Sequence, residues 1–544
     1  MSSTVCKVDK RTQVSAESLA QAAHQSYLDL VKRGESDPAL KERLYSNRKE
    51  LARHIWLFHS HAGTLTEGVC KMLDVLDEER DCVFLMTAHQ TNFIPYSGVV
   101  RKTTLMDAVK RKLEKICDAP VVEFYGVADQ DMTSSWPWLK KTQLPSIFHK
   151  DGVFELSYEA GKEYDMRVHC AVPKPGRDEI SKWNAGVREW MTVAIDCIEG
   201  AGHGIDKEGK AKLYRNYDDF MKLIVESNDS SRNFAESNAI LLSKVVNKRF
   251  GHDTLFSLFT DCQKIFGKEF TDLLRNREIY DSCITDMKGG KEKANIAPFW
   301  YHCECLGKVE LAVEEDETMF RLCGKCPACD KVHLLSLEKK DMIRSFSGIS
   351  KYVSARARPM TLVFFEGLGV NMYVGGALAG SCYLNDAEHI ARKMNLNFPP
   401  VAIWRPKEKY NGLGQLSSEL YKKGACSEKS LPDTLSSIEE EIRAVNERLN
   451  AIDEAIKTGT ADERSRLIAE KNSIRKAHDL RELSKKLSTL NKIPAAESVV
   501  PSIMDYAINI GLENTKDAWM NHLMNSNDIS ADIFIPTVID KRGA

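Results

Sequence analysis

Apolar residues at Leu19, Ala22, Ala23, Tyr27, Leu30 and Val31 recur at helical spacing, so residues 17–57 read as helix. The pattern then changes. After the charged segment 77–81 comes a short unbroken apolar run, Cys82-Val83-Phe84-Leu85-Met86-Thr87, suited to a strand covered on both faces. A helical stretch at 99–117 leads to a second run, Val121-Val122-Glu123-Phe124-Tyr125-Gly126-Val127. Strand, helix and strand in this compass form a βαβ unit. Two more strand-like runs follow. Met360-Thr361-Leu362-Val363-Phe364-Phe365 is one, and Pro400-Val401-Ala402-Ile403-Trp404, after a helix near 384–395, is the other. The alternation predicts an α/β fold with an open, mostly parallel, doubly wound sheet.

Residues 428–496 obey another rule. Leu435, Ile438, Ile442, Val445, Leu449, Ile452 and Ile456 alternate spacings of three and four, with Glu and Arg between them. That is a heptad seam and predicts a coiled-coil helix. Thr458-Gly459-Thr460 interrupts it, and Leu467, Ile474, Ala477, Leu480, Leu483, Leu487 and Leu490 mark a second helix. Two such helices form an antiparallel hairpin, and one this long exposes more apolar seam than two helices can cover, so a homodimer through the coiled coil is expected. Residues 499–524 read as helix returning to the body. The organisation expected is a core in two parts (1–295 and 338–427), an insert at 296–337, the hairpin at 428–496 and a helical tail at 497–544.

Composition narrows the classes. The 544 residues carry 76 Lys+Arg against 78 Asp+Glu, so global charge argues for neither nucleic acid nor an anionic membrane. No apolar run approaches membrane-spanning length, and the N-terminus lacks the apolar segment of a secretory signal. Most of the fifteen cysteines are scattered singly through apolar surroundings, which predicts reduced, buried thiols in a cytoplasmic protein.

One group of cysteines is clustered. His302-Cys303-Glu304-Cys305 and Cys323-Gly324-Lys325-Cys326-Pro327-Ala328-Cys329 bracket a short acidic stretch. Paired thiolates about twenty residues apart are spaced as in a zinc ribbon, and Pro327 turns the chain back toward the ion. Cys303, Cys305, Cys326 and Cys329 are the expected ligands, with Cys323 and His302 as alternates. Four protein ligands leave no open position, so the Zn2+ is expected to be structural. Lys308, Lys325 and Lys331 are offset by Glu310, Glu314, Glu315, Asp316 and Glu317, which argues against an RNA footprint.

Candidate chemistry gathers at the predicted strand ends, where an open parallel sheet forms its ligand crevice. The first run ends in Thr87-Ala88-His89-Gln90-Thr91-Asn92, then Tyr96, Gly98 and Lys102; the second ends in Asp129-Gln130-Asp131. No glycine-rich dinucleotide fingerprint and no P-loop occur.

These segments, in order, resemble the bacillithiol-biosynthesis cysteine-adding enzyme family (BshC), and the likeness covers most of the chain. Thr87-Ala88-His89-Gln90 with Gly98 and Lys102 stands where the family has Thr-Gly-Gln-Gln before a glycine and a lysine-bearing helix. Ala128-Asp129-Gln130-Asp131 resembles its acidic strand end. Ser354-Ala355-Arg356-Ala357-Arg358-Pro359, Tyr373-Val374-Gly375-Gly376 and Pro399-Pro400-Val401 resemble later motifs, and the family ends in a coiled coil. The sequence departs from the family at Ala88, at His89, at Ala377-Leu378-Ala379-Gly380 and in the cysteine insert.

The resemblance implies a Rossmann-like, nucleotidylyltransferase-like core and a divergent ligase joining cysteine to a small-molecule amine. Such a site must hold an ammonium and stabilise charge developing on oxygen. Asp129 and Asp131 suit the first task. His89, Gln90, Asn92 and Lys102 suit the second, as donors near a helix N-terminus that favours an anion. Thr87, Tyr96, Gly98 and Tyr373 complete the implied substrate contacts. Arg358 offers a bidentate clamp, and Gly375 and Gly376 admit close backbone approach. His89 brings the motif nearer to the histidine signature of nucleotidylyltransferases, which implies ATP use through an acyl-adenylate. Ser347-Gly348-Ile349-Ser350-Lys351 faintly resembles the phosphate-binding loop of class I synthetases. The competing readings are an adenylyl-transferring enzyme and a non-catalytic zinc and coiled-coil assembly or RNA-binding relative.

Overall fold

The computed structural model describes residues 14–133, 137–287, 295–426 and 429–540, with the side chains of 137, 283–287 and 377–383 outside the description. Strand β1 (Val83–Gln90) leads through helix Ser97–Leu113 to β2 (Val121–Ala128). The hairpin β3 (Lys141–Pro145) and β4 (Val153–Ser157) precedes a helical region and β5 (Leu255–Leu258). Next come β6 (Ile296–His302), β7 (Lys308–Glu315), β8 (Met319–Lys325), β9 (Val332–Glu338) and β10 (Val353–Ala355). The chain then returns to the first sheet with β11 (Met372–Gly375) and β12 (Val401–Ile403).

β12, β11, β1, β2 and β5 form one parallel sheet in that order. The chain starts at the centre, builds outward through β2 to β5, then crosses to the other side for β11 and β12. Successive residues divide between two cores. Val83, Leu85, Tyr125, Val127, Phe256 and Val374 pack on one face with helices Ala16–Ser36 and Ser97–Leu113. Phe84, Met86, Val122, Phe124, Leu255 and Tyr373 pack on the other with helices Pro38–Ala62, Glu67–Glu78 and Ala357–Leu368. The two-residue period of a strand is why uninterrupted apolar runs fill both layers.

Two expectations change, and the sheet holds two strands, β5 and β11, where none was predicted. The run Met360–Phe365 is not a strand but the middle of helix Ala357–Leu368, closed by Gly369 in the left-handed region (φ 62). A fully buried helix segment shows no polar face, so its short apolar run is indistinguishable from a buried strand. Residues 17–57 divide at Asp37, whose side chain caps the helix that Pro38 starts. Leu255–Leu258, with only four residues, gave no usable periodicity, yet it closes one edge of the sheet.

β6 to β10 form a second, antiparallel sheet in the order β10-β6-β7-β8-β9. Its inner residues Phe299, Val309, Leu311, Val313 and Leu322 belong to the second of the two cores, so the insert is continuous with the body.

Helix Leu431–Thr458 folds against Ala461–Ala477 and Leu480–Leu490. Arg448–Glu470 (2.8 Å), His478–Glu441 (2.9 Å) and the ion pair Lys471–Asp453 fix an antiparallel course. Ile438, Val445, Leu449 and Ile452 are buried and Leu435, Ile442 and Ile456 are partly so, as the seam requires. The second arm covers this seam within the chain. Ile468 is the exposed large apolar residue among the described positions of the hairpin. The second arm also breaks at His478, where Asp479 caps a new helix. The returning tail is two helices, Ile503–Asn509 and Leu512–Asn525, parted at Gly511 (φ 91). Among the described residues no helix is long and apolar enough to cross a membrane.

Candidate functional site

Two tight turns build the cysteine centre. In the first, Leu306 N–H donates to Cys303 O (2.8 Å) and Cys303 N–H to Gly307 O (3.0 Å). In the second, Asp330 N–H donates to Cys326 O (2.9 Å) and Cys326 N–H to Lys331 O (2.8 Å). Both need one residue in the left-handed region, Leu306 (φ 63) and Asp330 (φ 60). The sulfurs of Cys303, Cys305, Cys326 and Cys329 all lie within 4.8 Å of one another, with Cys303–Cys329 and Cys305–Cys326 at 3.6 Å. A tetrahedral thiolate site with metal–sulfur bonds of about 2.3 Å has sulfurs roughly 3.8 Å apart. The four cysteines are therefore close enough to hold a metal ion. Hydrogen bonding from the Lys331 amide and neighbouring thiols draws the Cys329 thiol down to about 7, whereas burial raises Cys303 and Cys326.

The two alternates are placed elsewhere. Cys323 is exposed on β8, opposite Ala312 and Leu334. His302 is buried with Nε2 2.8 Å from Ser354 Oγ, and burial pushes its imidazole down to about 3.

The cysteine turns are docked on the carboxyl edge of the parallel sheet. Val168 N–H donates to Leu306 O (2.9 Å), and Arg167 forms a bridge with Gly307. His169 N–H donates to Asp131 O (2.7 Å), so the segment that receives the insert also receives the β2 tip. Lys308 lies 3.6 Å from Asp131 Oδ1 and 5.4 Å from the centre of the Trp300 ring, whose face also carries Arg356 at 4.1 Å. Burial holds the Lys308 ammonium below its ordinary range, against the opposing pull of Asp131.

The strand register pairs His89 with Val127 and Gln90 with Ala128. The β1 and β2 tips are therefore one strand spacing apart, roughly 4.8 Å. On the other side of β1, Thr87 Oγ1 donates to Val374 O (2.7 Å), and Lys102 Nζ donates to Ala88 O (3.1 Å). A Cβ on Gly376 would stand 3.6 Å from Lys102 Nζ, which brings the Gly375-Gly376 turn and the start of helix Ala377–Met394 against the lysine. Burial lowers Lys102 to about 7. His89 Nδ1 is 2.9 Å from Gln90 O; burial, with the Lys102 charge behind it, lowers the imidazole to about 3. Tyr373 is buried beside Ala88, and burial raises its phenol.

Several buried polar groups at this edge have no hydrogen-bond partner among the described residues: Thr91 Oγ1, both side-chain atoms of Asn92, Gln130 Oε1 and both ring nitrogens of His169. An unsatisfied buried group costs roughly 1–3 kcal/mol, so each of these atoms would gain from a polar partner.

Other expected residues are differently employed. Asp129 is fully buried and accepts from Thr260 N–H (3.0 Å) and the Thr260 hydroxyl; burial still raises it to about 7. Arg358 turns to Asp386 (2.6 Å). Arg356, two residues earlier, is the arginine that shares the Trp300 ring with Lys308. Ser97 N–H donates to Pro501 O (3.0 Å), and Tyr96 bridges to Ser502, so the returning tail covers the helix start once expected to face an anion. Gly98 lies in that first turn, against Arg101. Ser347 ends a short helix, and Lys351 packs on Tyr352 with no contact to the strand tips among those described. Sequence reasoning gave no site role to Gln130, His169, Lys308 or Arg356, although Gln130 and Arg356 stand inside the motifs quoted for the site and Lys308 follows the first cysteine pair; His169 carried no signal.

No family model matches the chain, and no curated protein matches it.

Proposed function

We propose that the protein is a ligase that joins an amino acid, cysteine first, to a small-molecule amine at the carboxyl edge of a Rossmann-like sheet. The carrying observation is the group of unpartnered buried atoms on Thr91, Asn92, Gln130 and His169, beside the paired tips of β1 and β2. Strand order supports the Rossmann-like reading, because ligands of such sheets sit where the chain reverses its direction of building, here between β1 and β11. Lys102 stands at that point. A lysine titrating near neutrality can take a proton from an attacking ammonium and can hold an anion when charged. Helix Ala377–Met394, whose Gly376 start has no side-chain cap, adds a favourable end for carboxylate or phosphate.

In this reading Asp131 holds the ammonium, and Asp129 supports it by fixing the turn through Thr260. His89 is neutral and serves as a hydrogen-bonding group. The cysteine centre is a structural zinc site that fixes the wall formed by residues 303–308, and the hairpin is an antiparallel coiled coil.

The test is incubation of protein with cysteine, a panel of small amines and ATP, following pyrophosphate and any condensed product by mass. A condensed product lost in Lys102→Met supports the ligase. Pyrophosphate with no amide replaces it with an adenylyl-transferring enzyme, and no turnover in any mixture rejects catalysis on this substrate class.

A further inference from the structure

Lys308 belongs to the cysteine insert, yet its ammonium lies at the tip of β2. Its side chain is only 7% exposed, whereas Asp131, 3.6 Å away, is 28% exposed. That separation exceeds a direct hydrogen bond, so the pair is an open one, with its carboxylate toward solvent. The backbone around Lys308 is held from two sides: Gly307 O accepts from Cys303 within the turn, and Leu306 O accepts from Val168 on the sheet edge. Neighbouring cations are committed. Arg356 donates to Glu310 (2.8 Å) and Ala297 O (2.9 Å), and Arg358 donates to Asp386.

We propose that Lys308 and Asp131 together seat the zwitterionic head of the amino-acid substrate, the lysine taking its carboxylate and the aspartate its ammonium. This rests on the ligase reading above. An α-amino acid carries its two charges about one pair-length apart, so it can convert one long ion pair into four alternating charges. A buried cation is favourable only when well partnered, and a ligand carboxylate supplies Lys308 with the close acceptor that Asp131 does not. The site discriminates by charge: an amine without a carboxylate leaves Lys308 as it was, and an acid without an amine meets Asp131 unshielded. The insert thus contributes a substrate-binding residue, and its cysteine turns set that residue's place.

The experiment is calorimetric titration of the full-length, zinc-loaded protein with L-cysteine, cysteamine and 3-mercaptopropionate. Wild type is expected to bind L-cysteine most tightly. Lys308→Met should weaken L-cysteine by about tenfold or more and leave cysteamine unchanged. Lys308→Arg should retain most of the affinity, and Asp131→Asn should weaken both L-cysteine and cysteamine. A merely structural role for Lys308 predicts equal losses for L-cysteine and cysteamine in Lys308→Met, and that result overturns the proposal. Unchanged L-cysteine affinity in Lys308→Met and in the neutral but polar Lys308→Gln overturns it too, while leaving the ligase reading intact. Failure of wild type to bind L-cysteine at all removes both.

Discussion

Gly307 and Cys326 approach so closely that a Cβ on the glycine would lie 2.5 Å from the cysteine sulfur. The same Cβ would stand 3.3 Å from Cys305 Sγ and 3.0 Å from Ala328 Cβ. Sulfur and turn backbone cannot both retreat without opening the four-thiol arrangement. Gly307→Ala is therefore expected to abolish zinc binding, as Cys326→Ser is expected to, and to lower Tm. Elemental analysis and thermal melts check it; a variant that keeps one zinc per chain and an unchanged Tm would refute the structural-metal reading.

Lys102 gives stability a distinct pH signature. Burial holds it at about 7 against an ordinary 10.5. Between those values the unfolded chain binds the extra proton, so this residue's contribution rises with pH by up to roughly 1.4 kcal/mol per unit, while below 7 its full burial penalty is present. Lys102→Met should thus gain most, relative to wild type, below pH 7, and the gap should narrow toward pH 10. Urea midpoints across that range measure it, and a pH-independent gap would contradict the burial argument.

Acid should loosen the molecule through its neutral histidines. His59 Nε2 accepts from Phe256 N–H (2.8 Å), Nδ1 lies 2.8 Å from Thr64 Oγ1, and burial lowers the ring to about 3. His89, His169 and His302 are lowered likewise. Their contribution is fully present above about pH 6.5 and is lost as pH falls toward 3, by up to roughly 1.4 kcal/mol per unit for each ring. His59→Gln should be less stable at pH 7 but lose less on going to pH 5. Equal slopes for variant and wild type would show that His59 is not the titrating group.

The hairpin should respond as a locally packed unit. Leu449 is buried with Val445, Ile452 and Ile474, so Leu449→Ala removes a contact that nothing outside the two arms replaces. The expected loss is about 2 kcal/mol, at the lower end for buried leucines because the seam is narrow. Hydrogen exchange of residues 440–475 should speed up while that of the parallel sheet is unchanged. Uniform acceleration would mean that hairpin and body unfold together.

Local chemistry made part of this molecule legible in its residues alone. Four thiols at short spacing can meet one ion however the rest folds, and Cys303, Cys305, Cys326 and Cys329 do come together. The heptad run from Leu435 to Ile456 specifies a helix with one apolar stripe, and β1 and β2 announce themselves as apolar runs about one helix apart. That the β1 and β2 tips lie side by side was likewise readable, because neighbouring strand ends in an open parallel sheet share an edge, whereas β11, which brings Tyr373 and Gly376 to Ala88 and Lys102, was not read as a strand.

Tertiary structure alone decided the rest. Met360–Phe365 could be strand or helix until packing placed Val363, Phe364 and Phe365 in the second core and Leu362 against Tyr280, Ala387 and Ile390. Arg358 and Arg356 are alike in sequence, and only packing sends one to Asp386 and the other to Trp300. Nothing in the order of residues brings Lys308 to Asp131 or Pro501 to Ser97. Those meetings join segments far apart in the chain, and their pairing is fixed by which surfaces the sheet leaves uncovered, a property of the assembled layers that no local periodicity records.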